Sequence, residues 1–114
     1  MNKPEQALQR AILTLLWRQY PAGFVFHVPN GGKRGRIEAY NLKLNGVKAG
    51  VPDLCVIRPG GRVGWIEVKA GTGVSEAQEK LHAEWRLKGH EVHVVESLDA
   101  LGVIIEQWKK EDES

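Results

Sequence analysis

Residues 50–69 read GVPDLCVIRPGGRVGWIEVK and contain two apolar runs on either side of a Pro-Gly-Gly turn. The runs are Leu54–Ile57 and Val63–Val68, and this pattern predicts a β-hairpin with a glycine-rich connection. Asp53 opens the first strand, and Glu67 lies near the end of the second. Because antiparallel strands run back along each other, the hairpin places the two carboxylates at the same end of the sheet.

Three amphipathic segments surround this hairpin. Apolar residues at helical spacing predict helices from about residue 4 to 20, from Ser75 to Gly89, and from Ser97 through Trp108. Ser75 and Gln78 have the spacing of a capping box, in which the serine caps the helix and the glutamine caps it in return. Pro21 ends the first helix because it cannot continue the backbone hydrogen bonding.

The remaining segments complete an α/β pattern. Phe24–Val28 and Val92–Val95 are predicted strands, and a short helix is predicted at Ile37–Leu44. The order helix, strand, loop, hairpin, helix, strand, helix predicts a mixed sheet flanked by helices. We expect the two hairpin strands and the strand after the long helix to lie in the middle of that sheet.

Length and composition predict one domain and one site. The chain has 114 residues, of which 42% are hydrophobic, and this suits a single compact domain over residues 1–110. The acidic residues 111–114 are expected to be a frayed tail. The single Cys55 suits a buried position and a reducing compartment, so we expect a cytoplasmic protein, in host cytoplasm if it is viral, with no membrane partner.

Histidine and tryptophan add little to the functional prediction. The four histidines have no paired spacing with cysteine, so a zinc site is not expected. The four tryptophans fall within helix or strand patterns and are expected in the core, with at most one left for base stacking: Trp17, Trp65, Trp85 and Trp108.

Basic residues concentrate in one stretch of the chain. Residues 33–62 hold seven basic side chains against two acidic ones, a local charge of +5. This asymmetry is typical of a face that meets a polyanion, although a solvated loop region would look the same. A turn at Pro29–Gly32 precedes the basic run, which favours a phosphate-contacting loop. The predicted DNA-binding residues are Asn30, Gly31, Gly32, Lys33, Arg34, Arg36 and Lys48.

Asp53, Glu67 and Lys69 form the constellation with the most chemical content. Strand alternation places Glu67 and Lys69 on one face, and two carboxylates beside an ammonium would be costly if they were merely buried. Mg²⁺ prefers such oxygen ligands, and it would polarise a phosphodiester and lower the pKa of a bound water. Lys69 would position that water and stabilise negative charge. Each residue alone also suits a structural reading, as a turn residue or an edge-strand charge.

These residues carry a resemblance to a known family. Pro52-Asp53 followed by Glu67-Val68-Lys69 resembles the PD-(D/E)XK signature of restriction-endonuclease-like nucleases. Glu5 and the segments 27–32, 50–54 and 75–78 extend this to the VRR-NUC family of stand-alone viral and bacterial nucleases, over nearly the whole chain. The loop 70–74 departs from the pattern, because it lacks charged residues that some members carry there.

The resemblance implies a restriction-endonuclease-like core with one metal site. It implies that Glu5, Asp53 and Glu67, with the backbone carbonyl of Val68, hold Mg²⁺ or Mn²⁺. Lys69 would be the catalytic lysine, and Gln78 would assist near the metal or the scissile phosphate. Glu5 is also explained as an acid in a first helical turn, and Gln78 as a capping-box partner.

The same resemblance implies a substrate and an assembly. It indicates a metal-dependent, structure-selective DNA endonuclease of repair and recombination, acting as a homodimer on branched DNA such as the Holliday junction. A two-fold dimer would bring two sites to opposite strands. Two alternatives remain open at this stage: a monomeric flap or nicking nuclease, and a non-catalytic DNA-binding module.

Overall fold

The computed structural model describes residues 2–29 and 35–113. They form one α/β domain whose elements are α1 (Lys3–Gln19), β1 (Val25–His27), α2 (Arg36–Leu44), β2 (Leu54–Ile57), β3 (Val63–Val68), α3 (Glu76–Leu87), β4 (Glu91–Val95) and α4 (Leu98–Asp112). Every helix and strand predicted from the sequence is present, and the boundaries differ by a few residues at most. The predicted fold class is therefore confirmed.

The four strands lie in the order β1-β2-β3-β4 in one mixed sheet. β1 pairs with β2, and β2 with β3, in antiparallel fashion, whereas β4 runs parallel to β3. The expectation that β4 lies in the middle of the sheet is wrong. Within the described residues no further strand follows β4, because the chain continues into α4, so β4 forms an edge.

The core lies between α1, α4 and one face of the sheet. Ile12 and Leu16 of α1 and Leu101 and Trp108 of α4 are fully buried against strand residues of that face: Val25, Leu54, Val56, Ile66, Val68 and Val95. Gly64 lies beneath Trp108, and a β-carbon there would overlap the indole. The opposite face carries α3, where Trp65 and Trp85 meet edge to face with centroids 5.0 Å apart.

Helix α4 continues into the segment that the sequence predicts to be a frayed tail. Glu111 and Asp112 are helical, and both accept hydrogen bonds from the buried Arg58, at 3.2 Å and 3.0 Å. Arg58 also lies 4.7 Å from the Trp108 ring centroid, in a cation–π contact. These contacts hold the last turn of the helix onto the sheet.

The tryptophans divide into three environments. Trp108 is fully buried as expected, and Trp65 and Trp85 are half-buried. Trp17 is 46% exposed, so its predicted core position is wrong, and its indole N–H donates to the Val25 carbonyl at 3.2 Å. Cys55 is buried as expected. No helix in the described ranges combines the length and apolar character needed to cross a membrane.

Candidate active site

Asp53 joins the two strands of the hairpin at one end of the sheet. Its Oδ2 accepts a hydrogen bond of 2.7 Å from the backbone N–H of Val68, the last residue of β3. Its backbone carbonyl accepts from Val28 N at 2.8 Å and lies 2.9 Å from His27 Nδ1. The side chain and backbone of Asp53 are thus both held in place, and its carboxylate faces the end of β3, as the hairpin spacing predicts.

Glu67 is a buried carboxyl whose pKa is strongly raised. The residue is only 2% exposed, and its Oε1 is a buried oxygen that has no hydrogen-bond partner in the part of the chain that the structure describes. Burial, followed by a hydrogen bond with Asp53 and the charges of Asp53 and Glu5, raises the pKa of Glu67 to about 9, although the Lys69 ammonium opposes the shift. Neighbouring carboxylates make the charged form of Glu67 unfavourable.

Glu5 reaches this cluster from the first turn of α1. Asn2 caps the helix by accepting from Glu5 N at 2.8 Å, a cap that the sequence prediction did not identify. The Glu5 side chain is buried, and its Oε1 accepts a 2.7 Å hydrogen bond from the Thr72 hydroxyl. Thr72 lies in the loop after β3 that departs from the family pattern, and it ties that loop to α1.

Lys69 follows β3 directly and lies on the same side of the strand as Glu67. Its backbone N–H donates to Val95 O at 3.1 Å, which extends the pairing with β4 by one residue. The residue is half-buried, and its positive charge favours the ionised form of Glu67. Lys69 is thus near enough for its charge to act on Glu67, and the side-by-side placement of the two side chains stays a prediction.

Gln78 has two roles that the sequence suggests separately. Its Oε1 accepts from Ser75 N at 2.9 Å, and its backbone N–H donates to the Ser75 hydroxyl, which completes the capping box. Because the cap engages the amide oxygen, the amide nitrogen points the other way and donates to Glu67 Oε2 at 3.2 Å. The start of α3 therefore holds Gln78 against the acidic cluster.

His82 is a site residue that the sequence analysis set aside. It lies one turn after Gln78 on α3, is 1% exposed, and its Nε2 is 3.1 Å from Gly50 O and 3.6 Å from Glu67 Oε1. Burial lowers the pKa of His82, so the ring is neutral at neutral pH and its Nε2–H donates to Gly50. Helical spacing from Gln78 to His82 was the available signal, since residues four apart share a face.

Gly50 allows this approach of the loop before Asp53 to α3. Its φ is +92°, a left-handed conformation that favours glycine. A β-carbon there would lie 2.8 Å from the Ala77 carbonyl oxygen, which is backbone and cannot yield easily. The loop before Asp53 therefore packs closely on α3, and His82 of that helix contacts both Gly50 and Glu67.

The acidic cluster fits a divalent cation with few protein ligands. Within residues 2–29 and 35–113 no three His, Cys, Asp or Glu side chains converge into a ready cage. Mg²⁺ needs no such cage, because one or two carboxylates with waters and a substrate phosphate complete its shell. Glu67 Oε1, which lies 3.6 Å from His82 Nε2 and has no hydrogen-bond partner among the described residues, is an oxygen that a cation could satisfy. Val68 contributes an N–H to Asp53, and nothing in the structure tests a role for its carbonyl.

The predicted DNA-binding residues are only partly described. Asn30, Gly31, Gly32, Lys33 and Arg34 lie outside the described residues. Arg36 and Lys48 are exposed, and Lys48 lines a cavity of about 240 Å³ with Val28 and Val51, close to Asp53 in the chain. Arg58, by contrast, is buried in ion pairs with acidic side chains. Part of the +5 charge of residues 33–62 is therefore neutralised inside the protein and does not contribute to an exposed basic surface.

Comparison with known proteins identifies the fold. No family model matches the sequence, and no curated protein matches it. A solved structure named "VRR_NUC domain protein" is similar to this chain, with a TM-score of 0.74 and 24% sequence identity. The match covers 96% of this chain and 91% of that one. At this identity the similarity shows a shared fold over nearly the entire length of both chains.

Proposed function

We propose that this protein is a Mg²⁺- or Mn²⁺-dependent DNA endonuclease that hydrolyses phosphodiester bonds. The observation that carries the proposal is the setting of Glu67, a buried carboxylate placed against Asp53 and beside Lys69 with one oxygen left without a partner. Burial without a cation keeps the proton on this carboxyl, and the charged form becomes favourable when a cation binds. Strongly perturbed groups of this kind cluster at functional sites.

In this proposal the residues of the cluster have separate tasks. Asp53 and Glu67 would hold the cation, and Glu5, whose Oε1 accepts from the Thr72 hydroxyl, would add negative charge from α1. The cation would supply Lewis-acid charge at the scissile phosphate. Lys69 orients the attacking water and stabilises negative charge as it develops on the phosphate oxygens. Gln78 donates to Glu67 and keeps that carboxylate facing Asp53.

DNA is the proposed substrate because of charge and fold. Arg36 and Lys48 are exposed and can contact backbone phosphates, and Lys48 is close in the chain to Asp53. The fold is that of a structure named "VRR_NUC domain protein", and the sequence resembles the VRR-NUC nucleases. If phosphate contacts dominate, binding falls steeply as salt rises.

The finer proposal concerns DNA structure and assembly. We propose a homodimer that cuts branched DNA, such as a four-way junction, during repair or recombination in the cytoplasm. Two sites related by a two-fold axis would cut opposite strands of a symmetrical junction. A monomeric flap or nicking nuclease and a non-catalytic DNA-binding module are the alternatives that the experiment has to exclude.

The experiment compares a labelled four-way junction, a flap and a linear duplex with Mg²⁺, with Mn²⁺ and without metal. The wild type should make paired cuts in the junction only when metal is present. Lys69→Ala should lower the rate by about 10²–10³-fold, whereas Lys80→Ala on exposed α3 should not. Preference for the flap would replace the junction proposal, and absence of cleavage with every metal would contradict the enzyme.

A further inference from the structure

Helix α2 exposes an apolar stripe that no other described element buries. None of its nine residues is buried, and Ile37, Tyr40 and Leu44 are 78%, 63% and 67% exposed. Spacings of three and four residues put these side chains on one side of the helix. So short a helix has little stability of its own in water without a packed face.

A second apolar surface lies on the sheet, on the face that also carries α3. Phe26 is paired with Cys55, and Ile57 with Val63, so these side chains share a face with Trp65. α3 covers the β3–β4 side of that face, where Trp85 packs on Trp65. Phe26, Ile57 and Val63, here called the hairpin patch, remain 44%, 39% and 36% exposed.

We propose that a second copy of this chain covers both surfaces, with α2 of each protomer packed on the hairpin patch of the other. Two different apolar surfaces on one chain, neither covered by residues 2–29 or 35–113, are satisfied together when a two-fold axis exchanges them. Contiguous exposed apolar surface of this kind marks interaction sites in soluble proteins. The proposal rests on the proposed homodimer and names its contacting surfaces.

The available area suits a stable dimer. At roughly 200 Å² for a large side chain, the exposed fractions of these six residues amount to about 600 Å² of apolar surface on each protomer. Standard specific interfaces bury about 800 Å² per partner, including a polar rim. Polar neighbours of the two surfaces, such as Asn41 on α2, would supply the remainder.

DNA is the competing occupant of α2, because Arg36 and Lys43 lie seven residues apart and flank the stripe on one side. Phosphate contacts would engage those cations, but they would leave Ile37, Tyr40 and Leu44 without an apolar partner. The hairpin patch on its own has no basic side chain among its three residues. The two apolar surfaces together therefore favour a second copy over DNA.

The test measures molecular mass in solution by sedimentation and light scattering, with the full chain and without DNA. The wild type should be a dimer at micromolar concentration. Leu44→Glu should weaken the dimer by at least about a hundredfold, since a buried charge at an interface core is poorly tolerated. Leu87→Glu is the matched control, because Leu87 ends α3 as Leu44 ends α2 and is 86% exposed.

A mixing experiment tests whether α2 of each protomer packs on the hairpin patch of the other. Ile57→Lys should also produce monomers, while far-UV circular dichroism shows that it folds. Mixing it with Leu44→Glu should restore a dimer, because one contact then pairs glutamate with lysine and the other is wild type. Helix-to-helix pairing would give no restoration, and that result would overturn the proposal.

The remaining outcomes separate this proposal from the nuclease. A monomeric wild type, or a Leu44→Glu dimer as tight as the wild type, would overturn the interface whatever the activity. Loss of DNA binding by Leu44→Glu with an unchanged dimer would assign α2 to DNA instead. Dimers that respond as expected but never cleave DNA would leave the interface standing and contradict only the proposed function.

Discussion

The two ends of the central hairpin bury ionisable side chains in opposite electrostatic settings. At the end where β2 leads to the turn, Arg58 is 3% exposed and is paired with Glu91, Glu111 and Asp112. At the other end, Glu67 is 2% exposed and faces Asp53 with one oxygen unpartnered. The same two strands therefore carry a cluster joined by direct ion pairs at one end and, among the described residues, a carboxylate with an unpartnered oxygen at the other.

The carboxylates of the two ends respond in opposite directions. Burial acts to raise the pKa of Glu91, but hydrogen bonds from His93 and Trp108 and the charge of Arg58 outweigh it and lower the pKa. Burial and Asp53 raise the pKa of Glu67. Carboxylates that a buried cation pairs directly contribute to stability, whereas a buried carboxylate whose pKa is strongly raised is typical of functional sites. We therefore interpret the Arg58 end as structural and the Glu67 end as the active site.

The largest expected effect is a loss of DNA cleavage after a substitution at the Glu67 end of the hairpin. Asp53→Asn should lower DNA cleavage by about 10³-fold, because it removes a ligand and a charge of the proposed site, and the midpoint of thermal unfolding should not fall. Rates and melting curves measured on one preparation check both points. Asp99→Asn on the exposed first turn of α4 is the control, and an Asp53→Asn enzyme of normal activity would refute the assignment.

The second effect is on stability. Arg58→Met should lower the free energy of unfolding by about 3 kcal/mol, because it leaves three carboxylates without the buried cation that pairs them. Cleavage per folded molecule should stay within about twofold, given that the substitution is at the far end of the hairpin. Urea unfolding measures the loss, with Arg10→Met on exposed α1 for comparison. A strong loss of activity in the folded protein would contradict the division of roles.

The contacts at the two ends of the hairpin differ in how well the sequence predicts them. The hairpin, the capping box and the order of elements follow from local patterns, and so does the meeting of Asp53 with Glu67. The contacts of Arg58 with α4, of Thr72 with Glu5 and of His82 with Gly50 join residues far apart in the chain. No local periodicity encodes such pairs, because they depend on how helices settle on the sheet.

The third effect concerns His82, a positioning residue by its contacts. His82→Leu should lower cleavage about tenfold, because it removes the contacts of the ring with Gly50 O and Glu67 Oε1. The apparent affinity for Mn²⁺ should fall as well. His82→Gln should recover part of both, since its amide N–H can reach Gly50. Exposed His90→Leu serves as the control. Equal loss in the Leu and Gln variants would indicate packing alone.

The smallest effect is a pH dependence of stability. Since the pKa of Glu67 in the folded protein is raised to about 9 from an ordinary 4.5, the folded state binds the proton more tightly than the unfolded one. Its contribution is fully present below pH 4.5 and is lost as pH rises towards 9. Glu67→Gln, which mimics the neutral acid, should therefore be more stable than the wild type at pH 8.

The difference in stability between the wild type and Glu67→Gln should disappear at acidic pH. At pH 4, where Glu67 is protonated in both states, wild type and Glu67→Gln should have similar free energies of unfolding. Glu84→Gln, an exposed change on α3, should behave like the wild type at both pH values. A Glu67→Gln variant that is less stable at pH 8 would show that this carboxylate is not under electrostatic strain.

The measurement closest to the central claim is calorimetric titration of the metal-free protein with Mn²⁺ at pH 7.5, in buffers of different ionisation enthalpy. Binding at the Glu67 end should release a proton, because the neutral acid must ionise to bind a cation. The wild type should show buffer-dependent heats, and Glu67→Gln should show little or no binding. Equal, buffer-independent binding by both proteins would contradict a metal site at this end of the hairpin.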